Sequence, residues 1–299
     1  MSSVLSEAAG PRLNIRDSVV TDPVAAARRL HVLADGRRTV VLTGAGMSTD
    51  SGIPDYRGPD SPKRTPMTYQ EFVGDPGFRR HYWARNHLGW RHMDATAPNL
   101  GHRALARLER AGVVHGVITQ NVDLLHTKAG SRNVIDLHGT YGQVVCLDCG
   151  HRVSRHALAA RLETANPDFA KTVAAGKAIE VAPDADAVIE HTSHFRMLGC
   201  ARCDGVLKPD IVYFGESVPR ARVQAAFALV ESAELLVVAG SSLTVMSGLR
   251  FARRAAKLGI PVAIVNRGTT RGDDLATLKI EAGCSEVLWT WAETAGQHP

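Results

Sequence analysis

An α/β fold is what this 299-residue sequence predicts, with strands ending at a nucleotide-binding edge and a smaller metal-binding module inserted among them. Three observations carry that expectation. The run Val40-Val41-Leu42-Thr43 ends in Gly44-Ala45-Gly46, two glycines one residue apart, which is how a buried strand brings its backbone to a phosphate-bearing ligand. Further apolar runs, Val113 to Thr119 and Leu235 to Ala239, also end in polar residues or glycine and alternate with helical stretches. The cysteine pairs Cys146/Cys149 and Cys200/Cys203 each have C-x2-C spacing.

Composition narrows the function classes. A hydrophobic content of 44% supplies a proper core, and the length suits about two domains or one with a sizeable insertion. The net charge of +5 comes from scattered bases such as Arg28-Arg29 and Arg253-Arg254, without a basic stripe interleaved with aromatics, which disfavours nucleic-acid binding. No apolar run approaches the roughly 20 residues of a membrane span. The first residues carry Glu7, Asp17 and Asp22 against only Arg12 and Arg16, a poor transit peptide, so a cytoplasmic chain without membrane contact is expected. Five cysteines in such a chain point to metal or catalysis rather than disulfides.

In chain order, residues 1–21 read as a mobile arm, and Asp22-Pro23 opens a helix through Val24, Ala27 and Leu30. Arg38 to Leu42 is the first core strand. After Gly46, the dinucleotide fingerprint is broken, because Thr49 stands where a third glycine is required. Gly52-Ile53-Pro54-Asp55-Tyr56-Arg57 then adds a proline-stiffened loop bearing a carboxylate, a phenol and a guanidinium. Residues 58–74 read as an exposed, mobile loop able to act as a lid. The aromatic helix from Phe78 to Trp90 reads as core in preference to the wall of a substrate channel.

A helix from Arg103 to Arg110, closed by Gly112, precedes the strand Val113 to Thr119. That strand delivers Gln120, Asn121 and Asp123, with Asn121 able to cap a helix from Val122 to Lys128. Val134 to Leu137 is a short strand ending in His138-Gly139. The two cysteine pairs, with fifty residues between them, supply four thiolates for a closed tetrahedral zinc site, which leaves no open position for catalysis. The insertion between them holds a helix from His156 to about Ala165 and a polar stretch near Asp184-Ala185-Asp186. Lys208 to Glu216 reads as a strand that can accept an extended peptide at its edge. Helices Val223 to Val230 and Ser247 to Leu258 alternate with strands ending in Gly240-Ser241-Ser242 and Asn266-Arg267-Gly268. Glu286 to Trp289 reads as a last strand, and Cys284 as a small buried hydrophobe.

From about residue 38 to 290 these motifs resemble, in order, the sirtuins, NAD-dependent protein-lysine deacylases. The resemblance rests on Gly44-Ala45-Gly46-Met47-Ser48, Gly52-Ile53-Pro54-Asp55-Tyr56-Arg57, Gln120-Asn121-Val122-Asp123, Leu137-His138-Gly139, the four cysteines and Phe214-Gly215-Glu216. Met47 and Tyr56 depart from the usual Ile and Phe. The wording Tyr82-Trp83-Ala84-Arg85-Asn86, Val145 to Gly150 and Ser247-Gly248 is similar to the class II branch, which includes a mitochondrial lipoamidase and ADP-ribosyltransferase.

The resemblance implies a doubly wound, mostly parallel Rossmann-like NAD-binding domain with a smaller zinc-binding and helical domain. The larger domain would span residues 22–138 and 209–299, with a helical module over about 53–100, and the zinc module residues 139–208. It implies that NAD is consumed and one zinc is structural. His138 would be the general base, with Asn121 as a second catalytic residue. NAD would contact Gly44, Ala45, Gly46, Ser48, Ile53, Pro54, Asp55, Tyr56, Arg57, Gln120, Asn121, Asp123, Gly240, Ser241, Ser242, Asn266, Arg267, Gly268 and the backbone at Cys284. Val212, Phe214, Gly215 and Glu216 would hold an acyl-lysine protein substrate. The products would be nicotinamide, O-acyl-ADP-ribose and free lysine, with an acyl group longer than acetyl expected from the class II wording. Two other readings stay open at this stage: mono-ADP-ribosyl transfer or NAD hydrolysis on the same site, and a non-catalytic NAD or ADP-ribose sensor.

Overall fold

The structure is a computed structural model that describes residues 19–55, 67–169 and 192–296. Its elements in order are β1 (Val19–Val20), α1 (Pro23–Ala34), β2 (Thr39–Thr43), α2 (Tyr69–Gly74), α3 (Pro76–Ala95), α4 (Leu100–Arg110), β3 (Val114–Thr119), α5 (Leu125–Ala129) and β4 (Val134–Asp136). There follow β5 (Gly139–Cys146), β6 (Arg152–Ser154), α6 (Arg155–Ala165), β7 (Leu207–Ile211), α7 (Arg220–Glu231), β8 (Leu235–Ala239), α8 (Met246–Lys257), β9 (Val262–Val265), β10 (Leu278–Ile280) and α9 (Cys284–Ala295).

Seven strands form one parallel sheet in the order β1-β10-β9-β8-β2-β3-β4. The chain runs outward from β2 through β3 and β4, then returns to lie on the other side of β2 with β8. The order therefore reverses between β2 and β8, and their carboxyl ends open a crevice there. Both faces are covered, as a parallel sheet requires. Val41, Val237 and Val265 point to a core shared with Leu30, Leu105 and Trp291, while Val40, Val238 and Ile264 point to one shared with Ala226, Leu249 and Phe251. The strands are apolar on both sides, so their sequence reads as continuous rather than alternating.

A second, antiparallel sheet, β6-β5-β7, packs with α2, α3 and α6 around a third core. Tyr82, Trp83 and Trp90 are buried in that core and none of them lines the crevice. Arg155 is fully buried there, its guanidinium 4.7 Å from the Trp90 ring centroid and 5.6 Å from that of Trp83. Among the described residues, no helix is long and apolar enough to cross a membrane.

Several expectations need correction. Residues 19 and 20 do not belong to a loose arm: Val19 and Val20 pair in parallel with Lys279 and Ile280, closing the sheet edge. Residues 1–18 of the expected arm lie outside the described residues. Part of the expected lid is the helix α2, started by a capping box in which Thr68 and Glu71 satisfy each other's backbone amides. Its residues 58–66 lie outside the described residues, as does the polar stretch near Asp184. Glu286 to Trp289 is helical, not a strand. Buried Cys284, Val287, Leu288, Trp291 and Ala292 repeat at the helical period, which a four-residue window is too short to reveal.

The helix expected from Val122 is shorter. Leu124 takes a left-handed φ of 62°, and Asp123 rather than Asn121 caps by accepting from the Leu125 amide at 2.9 Å. The strand expected over Lys208 to Glu216 ends at Ile211, beyond which the Val212 amide bonds the His138 carbonyl at 2.7 Å.

Candidate active site and metal centre

At the switch point, the turn after β2 meets the turn after β8 backbone to backbone. The Gly44 amide donates to the Ala239 carbonyl at 3.2 Å and the Gly46 amide to the Gly240 carbonyl at 2.9 Å. Glycine is required on both sides of this approach. Gly240 has a φ of +62° and a Cβ there would collide with the Met47 backbone, while a Cβ on Gly44 would lie 2.8 Å from the Ser241 Cβ. The two turns thus form one wall of a cleft of about 960 Å³, within the size range of small-molecule sites.

The cleft gathers Gly44, Ala45, Gly46, Ser48, Ile53, Pro54 and Asp55 with Gln120, Asn121, Asp123 and His138. Val212, Phe214, Gly215 and Glu216 line it from the segment after β7, and Gly240, Ser241, Ser242, Asn266, Arg267 and Gly268 from the ends of β8 and β9. Tyr56 and Arg57 lie outside the described residues. Cys284 is not among the residues that line the cleft. It is buried at the start of α9, its thiol donates to the Val265 carbonyl at 3.6 Å, and burial pushes its pKa up to about 12.

A polar network stiffens the site. Asn121 donates through Nδ2 to the Gly44 carbonyl at 2.9 Å and to Ser48 Oγ at 3.0 Å, and Ser48 in turn donates to Asp123 Oδ2 at 2.6 Å. Gln120 Nε2 donates to Ser241 Oγ at 2.8 Å. Three strand ends, those of β2, β3 and β8, are thereby cross-tied by side chains, and burial raises the pKa of Asp123 against the pull of its hydrogen bonds.

His138 sits one residue beyond Leu137 at the end of β4. Its Nδ1 lies 2.9 Å from the Gln120 carbonyl. A carbonyl only accepts, so Nδ1 carries the proton and the lone pair is on Nε2, which accepts from Ser247 Oγ at 2.9 Å. Burial lowers the His138 pKa, the Gln120 bond opposes this, and Arg250 and Arg222 lower it further. The ring is therefore a neutral base near pH 7, with its accepting atom inside the cleft.

The peptide-like segment is held from below. Tyr69 donates its amide to the Phe214 carbonyl at 2.9 Å, and Thr68 forms a parallel bridge with Phe214. The Glu216 carboxylate turns inward, accepting from Lys208 Nζ at 3.1 Å and the Tyr213 amide at 2.9 Å. Phe214 remains 41% exposed at the mouth. Sequence reasoning missed Met67, Ser247 and Arg250 as cleft residues. The wording Ser247-Gly248 gives no hint of this role, because Ser247 is 109 positions from the histidine it contacts.

At the far end of the small sheet, β5 and β7 pair antiparallel with Cys146 opposite Leu207, which brings both C-x2-C turns to one place. The four sulfurs all lie within 4.8 Å of one another, with Cys146 and Cys203 at 3.6 Å and Cys149 and Cys200 at 3.8 Å. Zinc–thiolate bonds of about 2.3 Å in a tetrahedron require sulfurs about 3.8 Å apart. The donor set fits one structural zinc.

The crevice, the histidine and the four-thiolate centre all fall on or next to the stretch that the sequence model of the Sir2 family matches, residues 44–247. The chain belongs to the Sir2 family. It is 66% identical over 264 residues to NAD-dependent protein deacetylase 1 of Mycobacterium avium, spanning 88% of this chain and 94% of that protein. It is 54% identical over 259 residues to NAD-dependent protein deacetylase 1 of Streptomyces coelicolor, spanning 86% of each. Among solved structures, it is similar to a Sir2 complex with a p53 peptide and NAD+, at 32% identity and a TM-score of 0.70, covering 90% of this chain and 98% of that one. A Sir2 enzyme bound to a propionylated peptide matches at 30% identity and a TM-score of 0.68, with the same coverage.

Proposed function

We propose that this Sir2 protein is an NAD-dependent protein-lysine deacylase whose base is His138. The observation that carries this reading is the His138 Nε2 lone pair, held inside the same cleft as the glycine wall and the Phe214-Gly215-Glu216 segment. Bound in the cleft, NAD supplies an anomeric carbon with nicotinamide as its leaving group, and is consumed.

The residues divide the work. Backbone around Gly44 to Gly46 and Gly240 to Ser242 receives phosphates, with little reorganisation because the turns brace each other. Ile53, Asn121 and Asp123 hold the nicotinamide ring and its carboxamide. The substrate peptide lies along Val212 to Gly215, adding main-chain pairs to a segment already anchored by Tyr69. That places the acyl oxygen in the cleft, where His138 removes a proton from a ribose hydroxyl. The zinc takes no part in the chemistry: it closes two turns that fix β5 and β7, and β7 leads directly into the peptide segment.

An acyl-peptide panel incubated with NAD and read by mass spectrometry tests the proposal. Equal amounts of free lysine, nicotinamide and O-acyl-ADP-ribose are expected. ADP-ribose attached to protein, or free ADP-ribose without deacylation, would replace the reading with transfer or hydrolysis on the same site. Acetyl-, glutaryl-, biotinyl- and lipoyl-lysine arms rank the acyl group by kcat/KM, in which tail binding used for positioning appears.

A further inference from the structure

The accepting atom of the His138 base, inside the cleft, already has a partner there. Ser247, in the first turn of α8, comes from the opposite side of the sheet's switch point and lies 2.9 Å from Nε2. Since Nδ1 holds the ring proton against the Gln120 carbonyl, the Ser247 hydroxyl must be the donor. We propose that Ser247 is the positioning residue of the base, clamping the imidazole between two hydrogen bonds and weakening its proton affinity until an incoming hydroxyl takes over Nε2. This deepens the deacylase reading and rests on it.

Two physical consequences follow from the geometry. First, a ring held at both nitrogens cannot rotate about its side-chain torsions, so the lone pair stays aimed at one point of the cleft. Second, a donor on Nε2 stabilises the neutral imidazole and opposes protonation, because the imidazolium would place an N–H against an O–H that must then turn away. When a substrate hydroxyl arrives, it takes over Nε2, and the serine hydroxyl turns to donate elsewhere or to accept from the newcomer. One proton then passes from the substrate hydroxyl to Nε2, and no other bond in the serine changes.

The charged groups around the ring come from every neighbouring element. Arg250 lies on α8, one turn beyond Ser247, and Arg222 on α7, where it is paired with Asp210 of β7 at 3.0 Å. Asp136 lies on β4 itself, and Asp123 beyond β3. Both arginines oppose the imidazolium, as the serine does, so removing the serine leaves a weaker but still present bias. The carboxyl of Asp136, pushed up to about 6 by burial, titrates in the same window and makes a rate profile alone insufficient.

The test therefore reads the ring directly. The His138 imidazole is titrated by NMR in the full-length zinc-loaded protein, its signal assigned with His138→Gln, and the wild type is compared with Ser247→Ala and Ser247→Thr. Ser247→Ala is expected to raise the ring's titration midpoint by about half a pH unit to one unit, with Ser247→Thr restoring it. The acid limb of kcat should move the same way, while KM for NAD stays within about threefold. An unmoved ring midpoint in Ser247→Ala would overturn the proposal and leave Ser247 as packing. Ala is the best helix former and Ser247 is only half-buried, so the fold should hold; if Ser247→Ala melts, Ser247→Cys gives the same reading with a weak donor. Absence of deacylation in the wild type would instead defeat the functional reading, and the ring titration would still decide the role of Ser247.

Discussion

The Ser48 hydroxyl donates a 2.6 Å hydrogen bond to the Asp123 carboxylate, tying the glycine turn after β2 to the segment after β3. Asp123 is only 5% exposed, and burial raises its pKa above the ordinary 3.8. The native state therefore binds more protons than the unfolded chain between those two values, so stability falls as pH rises through that window and stays lower at pH 7. Asp123→Asn removes this cost. It should melt higher than the wild type at pH 7, with the gain shrinking towards pH 4 in thermal melts.

The same variant should be a poorer enzyme. A hydrogen bond to a charged group contributes about 1.5–3 kcal/mol, so KM for NAD should rise about tenfold or more if, as proposed, Asp123 holds the carboxamide. Initial rates at varied NAD check this, and an unchanged KM would remove Asp123 from the nicotinamide pocket.

His138→Ala should slow deacylation by about 10²–10⁴-fold, the span typical of a lost general base, with NAD affinity little altered. In the wild type the acid limb of kcat should lie below the ordinary imidazole value of 6.5, since burial keeps His138 unprotonated there. Single-turnover rates and calorimetric NAD titration separate the two effects.

Acid should destabilise the protein through a pair of buried histidines. The rings of His102 and His126 meet edge to face at 4.8 Å, both buried, and burial pushes His102 down to about 3 and His126 well below 6.5. Each takes up a proton on unfolding and not in the native state. Stability is thus lost as pH falls from 6.5 towards the native values, by about 1.4 kcal/mol per pH unit for each ring. Denaturant melts from pH 7 down to about pH 5 should show a slope of this sign, to which buried His87 and His138 add, and His102→Gln should reduce it by one ring's share.

Removing a zinc ligand should cost the fold before the chemistry. Cys200→Ala leaves three thiols around the metal and frees the turn that enters β7, so metal content and melting temperature should fall together, with activity lost as a consequence. Elemental analysis alongside thermal melts checks this; folded, active protein without metal would refute it.

What the sequence by itself determined is what short spacing encodes. Gly44 and Gly46 can be read because a close backbone approach excludes a Cβ. The four cysteines can be read because two C-x2-C turns must each present two sulfurs to one ion. His138 can be read from its place after a strand and before Gly139, once the motifs are joined by family resemblance. The core strands β2, β3, β8 and β9 were legible too, because strands buried on both faces are unbroken apolar runs.

Only the tertiary structure decided the rest, because those features depend on residues far apart in the chain. The pairing of Val19 and Val20 with Lys279 and Ile280 joins the two ends of the described chain, and a two-residue strand has no periodicity to betray it. The helix α9 was misread because four residues fit either period, and packing of Val287, Leu288 and Trp291 in the core settled which applied. Ser247-Gly248 stands in the sequence without any role until the fold carries α8 across the switch point and sets the Ser247 hydroxyl on Nε2 of His138. A hydrogen bond is a relation of distance and direction, and only the folded chain brings those two atoms together.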